Sequence, residues 1–190
     1  GGVIGNIRVG IPGWVNVENS VAAAAVCLCH GVTPEAIKEA IGTYSGVRRR
    51  LDVHLNTPHL SYIDDYAHHP DEIKATLASA AHYPHKTVWC VFQPHTYSRT
   101  KILLTEFAEA LSHADKVVLA DIYAARETDT LGVSSKQIAD ELKAKGCDAY
   151  YFPSFEEIEN FCLTHCQKGD VLITMGAGNV VNIGETLLGR

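Results

Sequence analysis

Short apolar runs recur at regular intervals along most of the chain. Few polar residues interrupt them, as is typical of strands buried on both faces of a sheet. These runs lie at 60–64, 87–92, 116–121, 148–152 and 170–174. Helical stretches fill the gaps between and after them, at 70–83, 101–112, 134–145, 154–167 and 180–188. The alternation predicts an α/β domain with a doubly wound, mostly parallel, Rossmann-like sheet and helices on both faces.

Local signals support two of these helices and divide the chain. Ser134 with Gln137, and Ser154 with Glu157, have the spacing of capping boxes. Before them, helices are predicted over 18–30 and from Pro34 to about residue 41. Residues 1–45 are too few to build a core of their own, so we expect the tail of another α/β domain there and a separate domain over 46–190.

Composition and charge exclude several classes of protein. The formal net charge is −6, which offers no general basic face for nucleic acid. No apolar run reaches the roughly 20 residues of a membrane span, so a cytoplasmic protein without membrane insertion is expected. The six cysteines favour free thiols in a reducing compartment. Cys162 and Cys166, with His165 between them, could in principle hold a metal, but no second ligand pair has a matching spacing, and no metal site is predicted.

Unusual polar segments follow three successive predicted strands. They are 64–70 (DDYAHHP), 93–100 (QPHTYSRT) and 121–127 (DIYAARE). In an open parallel sheet, ligands bind beyond the carboxyl ends of the strands. Each segment alone could consist of ordinary turn and cap residues. Three such segments at one rim favour a binding site.

The chemistry of these segments favours an anion. Asp64 and Asp65 are adjacent on an extended chain and should point to opposite faces. His68 precedes a helix that opens at Pro70, and a helix N-terminus attracts a carboxylate or phosphate. Arg99 offers a planar fork that binds such groups through two hydrogen bonds, although a surface salt bridge is the alternative.

Together, the motifs resemble those of the Mur ligases. The resemblance includes residues 12–19 (PGWVNVEN), 46–52 (GVRRRLD), the three rim segments and 176–179 (GAGN), and it extends over essentially the whole chain. The second rim motif favours the branch of the family that joins L-alanine to UDP-N-acetylmuramate. The family has a UDP-sugar domain, a central ATPase domain and a C-terminal domain that binds the incoming amino acid. This chain resembles the end of the central domain followed by the C-terminal domain.

The resemblance implies an ATP-dependent ligase of peptidoglycan synthesis. ATP phosphorylates the muramoyl carboxylate, and the amine of L-alanine attacks the acyl phosphate. ATP, magnesium, L-alanine and UDP-N-acetylmuramate are therefore expected for the full-length enzyme. The chain has no G-x-x-x-x-G-K-[ST] segment to cradle phosphates, so we expect it to be inactive alone, without a tightly bound cofactor.

Residue roles follow from the matched motifs. Asn16 and Asn19 match an asparagine pair that reads the adenine of ATP, with helix capping as the alternative. Arg50 matches an arginine near the transferred phosphate, and Asp65 matches an aspartate at the ATP site. The L-alanine pocket is expected to involve Tyr66, His68 and Arg99. The catalytic set is expected to be Arg50, Asp65 and His68.

Two positions depart from the family pattern, Val15 and Thr96, and many relatives have His where Val15 stands. Thr96 stands where many relatives have a basic residue, so carboxylate recognition should depend more heavily on Arg99 and His68. The related ligase that recycles the murein tripeptide is one alternative, and it would need a wider pocket. A free-standing Rossmann-type module that binds a nucleotide or an amino acid is the other.

Overall fold

The computed structural model describes residues 5–11 and 13–190. The chain divides into two compact units, Gly1–Arg48 and Arg49–Arg190. The predicted boundary follows residue 45. Pro12, which belongs to the first of the matched motifs, lies outside the described residues.

The described residues of the first unit form the helices α1 (Trp14–Cys29) and α2 (Pro34–Thr43). Helix α1 begins four residues before the predicted position at Glu18, because Gly13, at φ 99°, turns the chain immediately before Trp14. Helix α2 begins as predicted. Its Thr33 side chain accepts a hydrogen bond from the Ala36 amide at 3.4 Å, and Pro34 occupies the first turn.

The second unit is built on a six-stranded sheet with the order β1-β2-β6-β3-β4-β5. The strands are β1 (Asp52–Asn56), β2 (Leu60–Asp65), β3 (Val88–Phe92), β4 (Lys116–Leu119), β5 (Asp148–Tyr151) and β6 (Asp170–Met175). All neighbouring pairs are parallel except β1 with β2. The mostly parallel sheet is therefore confirmed, with one antiparallel edge strand that the apolar pattern did not predict.

Helices cover both faces of this sheet, as predicted. They are α3 (Pro70–Ala80), α4 (Tyr97–Ile102), α5 (Leu104–Leu111), α6 (Ser135–Ala144), α7 (Phe155–His165) and α8 (Val181–Leu187). Helices α3, α5 and α6 pack on one face, with side chains such as Cys90 and Phe92 of β3. Helices α7 and α8 pack on the other, with Trp89 and Val91 of the same strand. Successive side chains of β3 thus pack into two apolar cores, one on each face of the sheet. Burial of these apolar side chains stabilises the unit.

The prediction of one helix over 101–112 is wrong. The chain forms α4 and α5 there, separated at Leu103, and α4 begins at Tyr97, inside the segment predicted as a rim loop. Long-range contacts described below hold the start of α4. Both predicted capping boxes fall at helix starts. Ser134 and Gln137 form the reciprocal pair, and the Ser154 side chain accepts from the Glu157 amide at 3.3 Å.

Within the residues that the structure describes, no helix combines the length and apolar character that a membrane span requires. The same residues include no group of three or more His, Cys, Asp or Glu that could hold a metal ion. All six cysteines are free. His165 lies beside Cys162 and Cys166 in sequence, but its Nδ1 is 2.9 Å from the Phe161 carbonyl oxygen and its ring stacks on Phe161.

Candidate active site at the rim of the sheet

The segments after β2, β3 and β4 meet at one edge of the sheet. A chain of ring contacts joins them. The Tyr66 and His68 centroids are 5.5 Å apart, those of His68 and His95 are 6.0 Å apart, and those of His95 and Tyr123 are 5.7 Å apart. We call these four residues and Arg99 the rim cluster. The structure therefore brings the predicted Tyr66 and His68 together with His95 and Tyr123, which were not singled out from the sequence.

Two nitrogen atoms of the rim cluster are buried without a hydrogen-bond partner among the described residues. They are Nη1 of Arg99 and Nδ1 of His95. Burial lowers the pKa of His95, and the nearby charges of Arg99 and His68 lower it further. A buried polar atom without a partner is costly unless a ligand satisfies it. A guanidinium beside imidazole rings is suited to an anionic ligand such as a carboxylate.

Helix α4 presents Arg99, and its first turn is fixed from outside. Thr96 precedes it at φ 68° and ψ 145°, a conformation that β-branched residues rarely adopt. The Thr96 amide donates to the Tyr123 carbonyl oxygen at 2.9 Å. Glu127 accepts hydrogen bonds from the Ser98 amide at 2.9 Å and from the Ser98 hydroxyl. These hydrogen bonds hold the pKa of Glu127 below its ordinary value. The third rim segment therefore positions the second.

The start of α3 is occupied by a carboxylate of the chain itself. His69 is the N-cap residue of a capping box with Glu72. Glu72 accepts hydrogen bonds from the amides of His68 at 3.0 Å and His69 at 3.2 Å. The His68 ring lies with Nδ1 3.0 Å from the Tyr66 carbonyl oxygen and 3.4 Å from Glu72 Oε2. The anion expected beside this helix start is thus first of all Glu72, which holds His68 in place.

The two aspartates at the end of β2 have different partners. Asp64 is fully buried and accepts from Thr174 Oγ1 at 2.6 Å and from Arg49 Nε at 3.2 Å. Asp65 is also buried, and its two oxygens accept from the amides of Leu51 and Ala67, each at 2.7 Å. Burial raises the pKa of both carboxyl groups, and the hydrogen bonds oppose part of that rise. Together they fix the segment 49–51.

The segment 49–51 places Arg50 at the protein surface. Arg49 and Leu51 have φ values of 61° and 46°, and Arg50 between them is exposed. Its guanidinium carbon lies 5.7 Å from the centroid of the Tyr66 ring, and that of Arg49 lies at 4.8 Å. Arg50 therefore stands beside the rim cluster, at a place where a phosphate could reach it. Its role at the phosphate and that of Asp65 at the ATP site stay predictions.

The predicted adenine-reading pair lies in the first unit. Asn16 and Asn19 are one turn apart on α1, so both side chains share a face of that helix. The N-cap residue of α1 is Gly13, so neither asparagine is the N-cap residue of this helix. Their adenine-reading role stays a prediction.

The turn after β6 packs closely against Gln93 and Tyr123 of the rim segments. A Cβ atom at Gly178 would lie 2.3 Å from Gln93 Oε1 and 2.8 Å from Tyr123 Cγ. Gln93 Oε1 also accepts from the Val180 amide at 3.1 Å. Glycine at this position lets the turn approach the second and third rim segments closely.

The comparisons with known proteins agree with this arrangement. Residues 49–178 match the family model described as "Mur ligase, glutamate ligase domain". The chain belongs to the Mur ligase family. The matched region begins at the first residue of the second unit and ends within the turn after β6.

This Mur ligase chain is similar to proteins named UDP-N-acetylmuramate–L-alanine ligase. It is 56% identical over 182 residues to a UDP-N-acetylmuramate–L-alanine ligase of Lachnospira eligens, covering 96% of this chain and 40% of the relative. It is 53% identical over 188 residues to one of Lachnoclostridium phytofermentans, covering 99% and 40%. The chain thus spans about two fifths of the length of these relatives. A UDP-N-acetylmuramate-alanine ligase structure from Thermotoga maritima superposes with a TM-score of 0.81 at 29% identity, covering 97% of this chain and 39% of that one.

Proposed function

We propose that this chain provides the amino-acid-binding part of an ATP-dependent ligase that joins L-alanine to UDP-N-acetylmuramate. The observation that carries the proposal is the identity of 53–56%, over nearly the whole chain, to ligases named for that reaction. The rim cluster supports it with unsatisfied cationic and imidazole nitrogens. The ATPase chemistry would come from a domain of the same enzyme with a phosphate-cradling loop.

The rim cluster would hold L-alanine by its carboxylate. Arg99 supplies a planar fork whose buried Nη1 has no hydrogen-bond partner within residues 5–11 and 13–190, and Glu72 holds His68 close by. The amine of L-alanine must lose a proton before it attacks. It would therefore lie away from Arg99 and His68, which bind the carboxylate. Burial, with the charges of Arg99 and His68, lowers the pKa of His95 and so favours its neutral ring, which would limit repulsion of the incoming ammonium group.

Arg50 would contact the transferred phosphate. Asp65 would act indirectly, by holding the loop that carries Arg50. Arg50 is exposed and lies near Tyr66, and Asp65 accepts from the Leu51 amide next to it. Asn16 and Asn19 would contact adenine. Magnesium would neutralise the phosphate charge during transfer. The described residues include no group of three or more His, Cys, Asp or Glu that could hold it.

The substrate can be tested directly. An enzyme that carries this chain with the rest of the ligase should form an amide from UDP-N-acetylmuramate and L-alanine, with one ADP released per amide. Mass spectrometry of the nucleotide-sugar product measures this. L-Alanyl-γ-D-glutamyl-diaminopimelate offered instead should give at least tenfold lower kcat/KM, which is a difference of about 1.4 kcal/mol or more in transition-state binding. Preference for the tripeptide would establish the recycling ligase. Amino-acid binding without ATP turnover would establish the free-standing module.

A further inference from the structure

Arg49 lies where three segments of the rim meet. Its Nε donates to Asp64 Oδ2 at 3.2 Å, and its Nη2 donates to the Gly176 carbonyl oxygen at 2.7 Å. Its own carbonyl oxygen accepts from the Tyr66 amide at 2.7 Å. One residue therefore joins the loop before β1, the end of β2 and the turn after β6.

A solvated ion pair does not account for these contacts. The Asp64 side chain is 0% exposed and that of Arg49 is 23% exposed. Thr174 on β6 donates to the other oxygen of Asp64, so the orientation of this carboxylate does not depend on Arg49 alone. Arg49 also takes a φ of 61°, which residues other than glycine adopt infrequently. The amide of Arg49 donates to Asp52 Oδ2 at 3.1 Å and helps to hold that conformation. The local backbone is arranged to direct this side chain inwards.

The guanidinium group of Arg49 lies over a ring of the rim cluster. Its carbon lies 4.8 Å from the centroid of the Tyr66 ring, closer than that of Arg50. Tyr66 in turn contacts the edge of His68. A displacement of Arg49 would therefore move Tyr66 and, through it, the His68 side of the cluster.

We propose that Arg49 is a positioning residue for the amino-acid site: it holds Tyr66, and it acts on L-alanine only through Tyr66. This inference rests on the proposed function, which assigns the rim cluster to L-alanine. Arginine is required because two donors must point to Asp64 and Gly176 while a flat cation lies near the ring. A lysine at this place could keep the ion pair with Asp64. It could not at the same time donate to the Gly176 carbonyl oxygen and place a flat cation over the Tyr66 ring.

The control for this inference is Lys116, which has the same kinds of partner elsewhere. It pairs with Asp148 at 2.5 Å, and its Nζ lies 5.1 Å from the centroid of the Trp89 ring. Lys116 begins β4, so it lies at the edge of the sheet opposite the rim. Lys116→Met removes an ion pair and a cation–ring contact without touching the rim cluster.

The experiment measures both KM values, kcat and urea unfolding in the ligase that carries this chain. Arg49→Lys should raise the KM for L-alanine by about ten- to a hundredfold, with the KM for ATP within about twofold. Lys116→Met should lower stability and leave both KM values unchanged. In a Tyr66→Leu background, Arg49→Lys should change the KM for L-alanine no further, because Arg49 acts through that ring.

Each outcome has one meaning. A normal KM for L-alanine in a folded Arg49→Lys enzyme, or equal effects in the wild-type and Tyr66→Leu backgrounds, would overturn this inference alone. A wild-type enzyme that does not use L-alanine would overturn the proposed function, and this inference with it. If Arg49→Lys fails to fold, Arg49→Gln replaces it: its amide can still donate to Asp64 or Gly176 but places no cation over the Tyr66 ring, so the KM for L-alanine should rise about tenfold, and an unchanged KM in the folded variant would overturn the inference.

Discussion

Among single residues, Arg99 carries the most specific expectation. Its buried Nη1 has no partner in the described part of the chain, and its charge acts on the ring of His95. A guanidinium in this situation is prepared for an anion that arrives with the substrate. The surface salt bridge weighed as an alternative from the sequence does not appear among the ion pairs of the described residues.

Loss of that group should affect L-alanine selectively. Arg99→Ala should raise the KM for L-alanine by roughly one to three decades, since a charge-assisted bidentate contact is worth about 2–4 kcal/mol. Arg99→Lys should restore part of the affinity, and His68→Ala should act in the same direction less severely. Steady-state kinetics with each substrate varied in turn measures this. Lys101→Ala is the matched control, because Lys101 lies on the same helix and its Nζ donates to the Leu131 carbonyl oxygen at the surface. A defect confined to ATP would assign Arg99 to the phosphate instead.

The asparagine pair gives the opposite selectivity. Both lie near the start of α1 on one face of that helix, and a side-chain amide can both donate to and accept from an adenine edge. Asn16→Ala or Asn19→Ala should raise the KM for ATP more than that for L-alanine, at about 1–3 kcal/mol for each partner left buried and unpaired. The thermal midpoint reports any structural role. A lowered midpoint with an unchanged KM for ATP would refute the adenine contact.

At the scale of elements, the sheet was predictable and its edge was not. Strands β2 to β6 agree with the predicted runs to within about two residues at either end. Strand β1 was missed because it alternates Asp, His and Asn with two apolar residues and is only half-buried. Helix α4 was missed because Glu127, 29 residues from Ser98, stabilises its first turn. Local periodicity cannot show a cap that comes from another loop.

Helix α3 gives a prediction about pH. Burial alone would raise the pKa of Glu72, but the amides of His68 and His69, with the charges of His68 and Arg50, hold it below its ordinary value. A depressed carboxyl pKa contributes stability above the unfolded-state pKa of about 4.5, and that stability is lost as the pH falls through the folded-state pKa. Because the Glu72 side chain is 39% exposed, we expect about 0.5–1 kcal/mol, in the lower part of the capping range.

Urea unfolding of the wild-type chain and of Glu72→Gln, from pH 3 to pH 7, measures this contribution. The difference in unfolding free energy should be largest well above pH 4.5 and should shrink towards pH 3. Glu106→Gln is the control: Glu106 is an exposed glutamate in the first turn of α5, and its side chain accepts no hydrogen bond among the described residues. A difference for Glu72→Gln that is independent of pH would show that the charge of Glu72 is not what stabilises α3.

At the scale of the whole molecule, the rim segments were predictable and their supports were not. The sequence places Tyr66, His68 and Arg99 after successive strands, which is enough to predict one site. Arg49, His95 and Glu127 gain their importance from contacts across the sheet, and nothing local distinguishes Arg49 from the arginines on either side of it. The buried Asp64, which decides the direction of Arg49, receives its other hydrogen bond from a strand 110 residues away along the chain.

Produced alone, this chain should fold but should not catalyse ligation. Both apolar cores lie within Arg49–Arg190, so the chain should unfold cooperatively when produced alone. It should nevertheless form no amide and release no ADP from ATP, UDP-N-acetylmuramate and L-alanine, because no phosphate-cradling segment is present in its sequence. A circular-dichroism melt and mass spectrometry of the reaction mixture measure the two halves of this prediction, with the longer ligase as the positive control. ATP-dependent ligation by the chain alone would mean that phosphate transfer is carried out by the rim residues themselves.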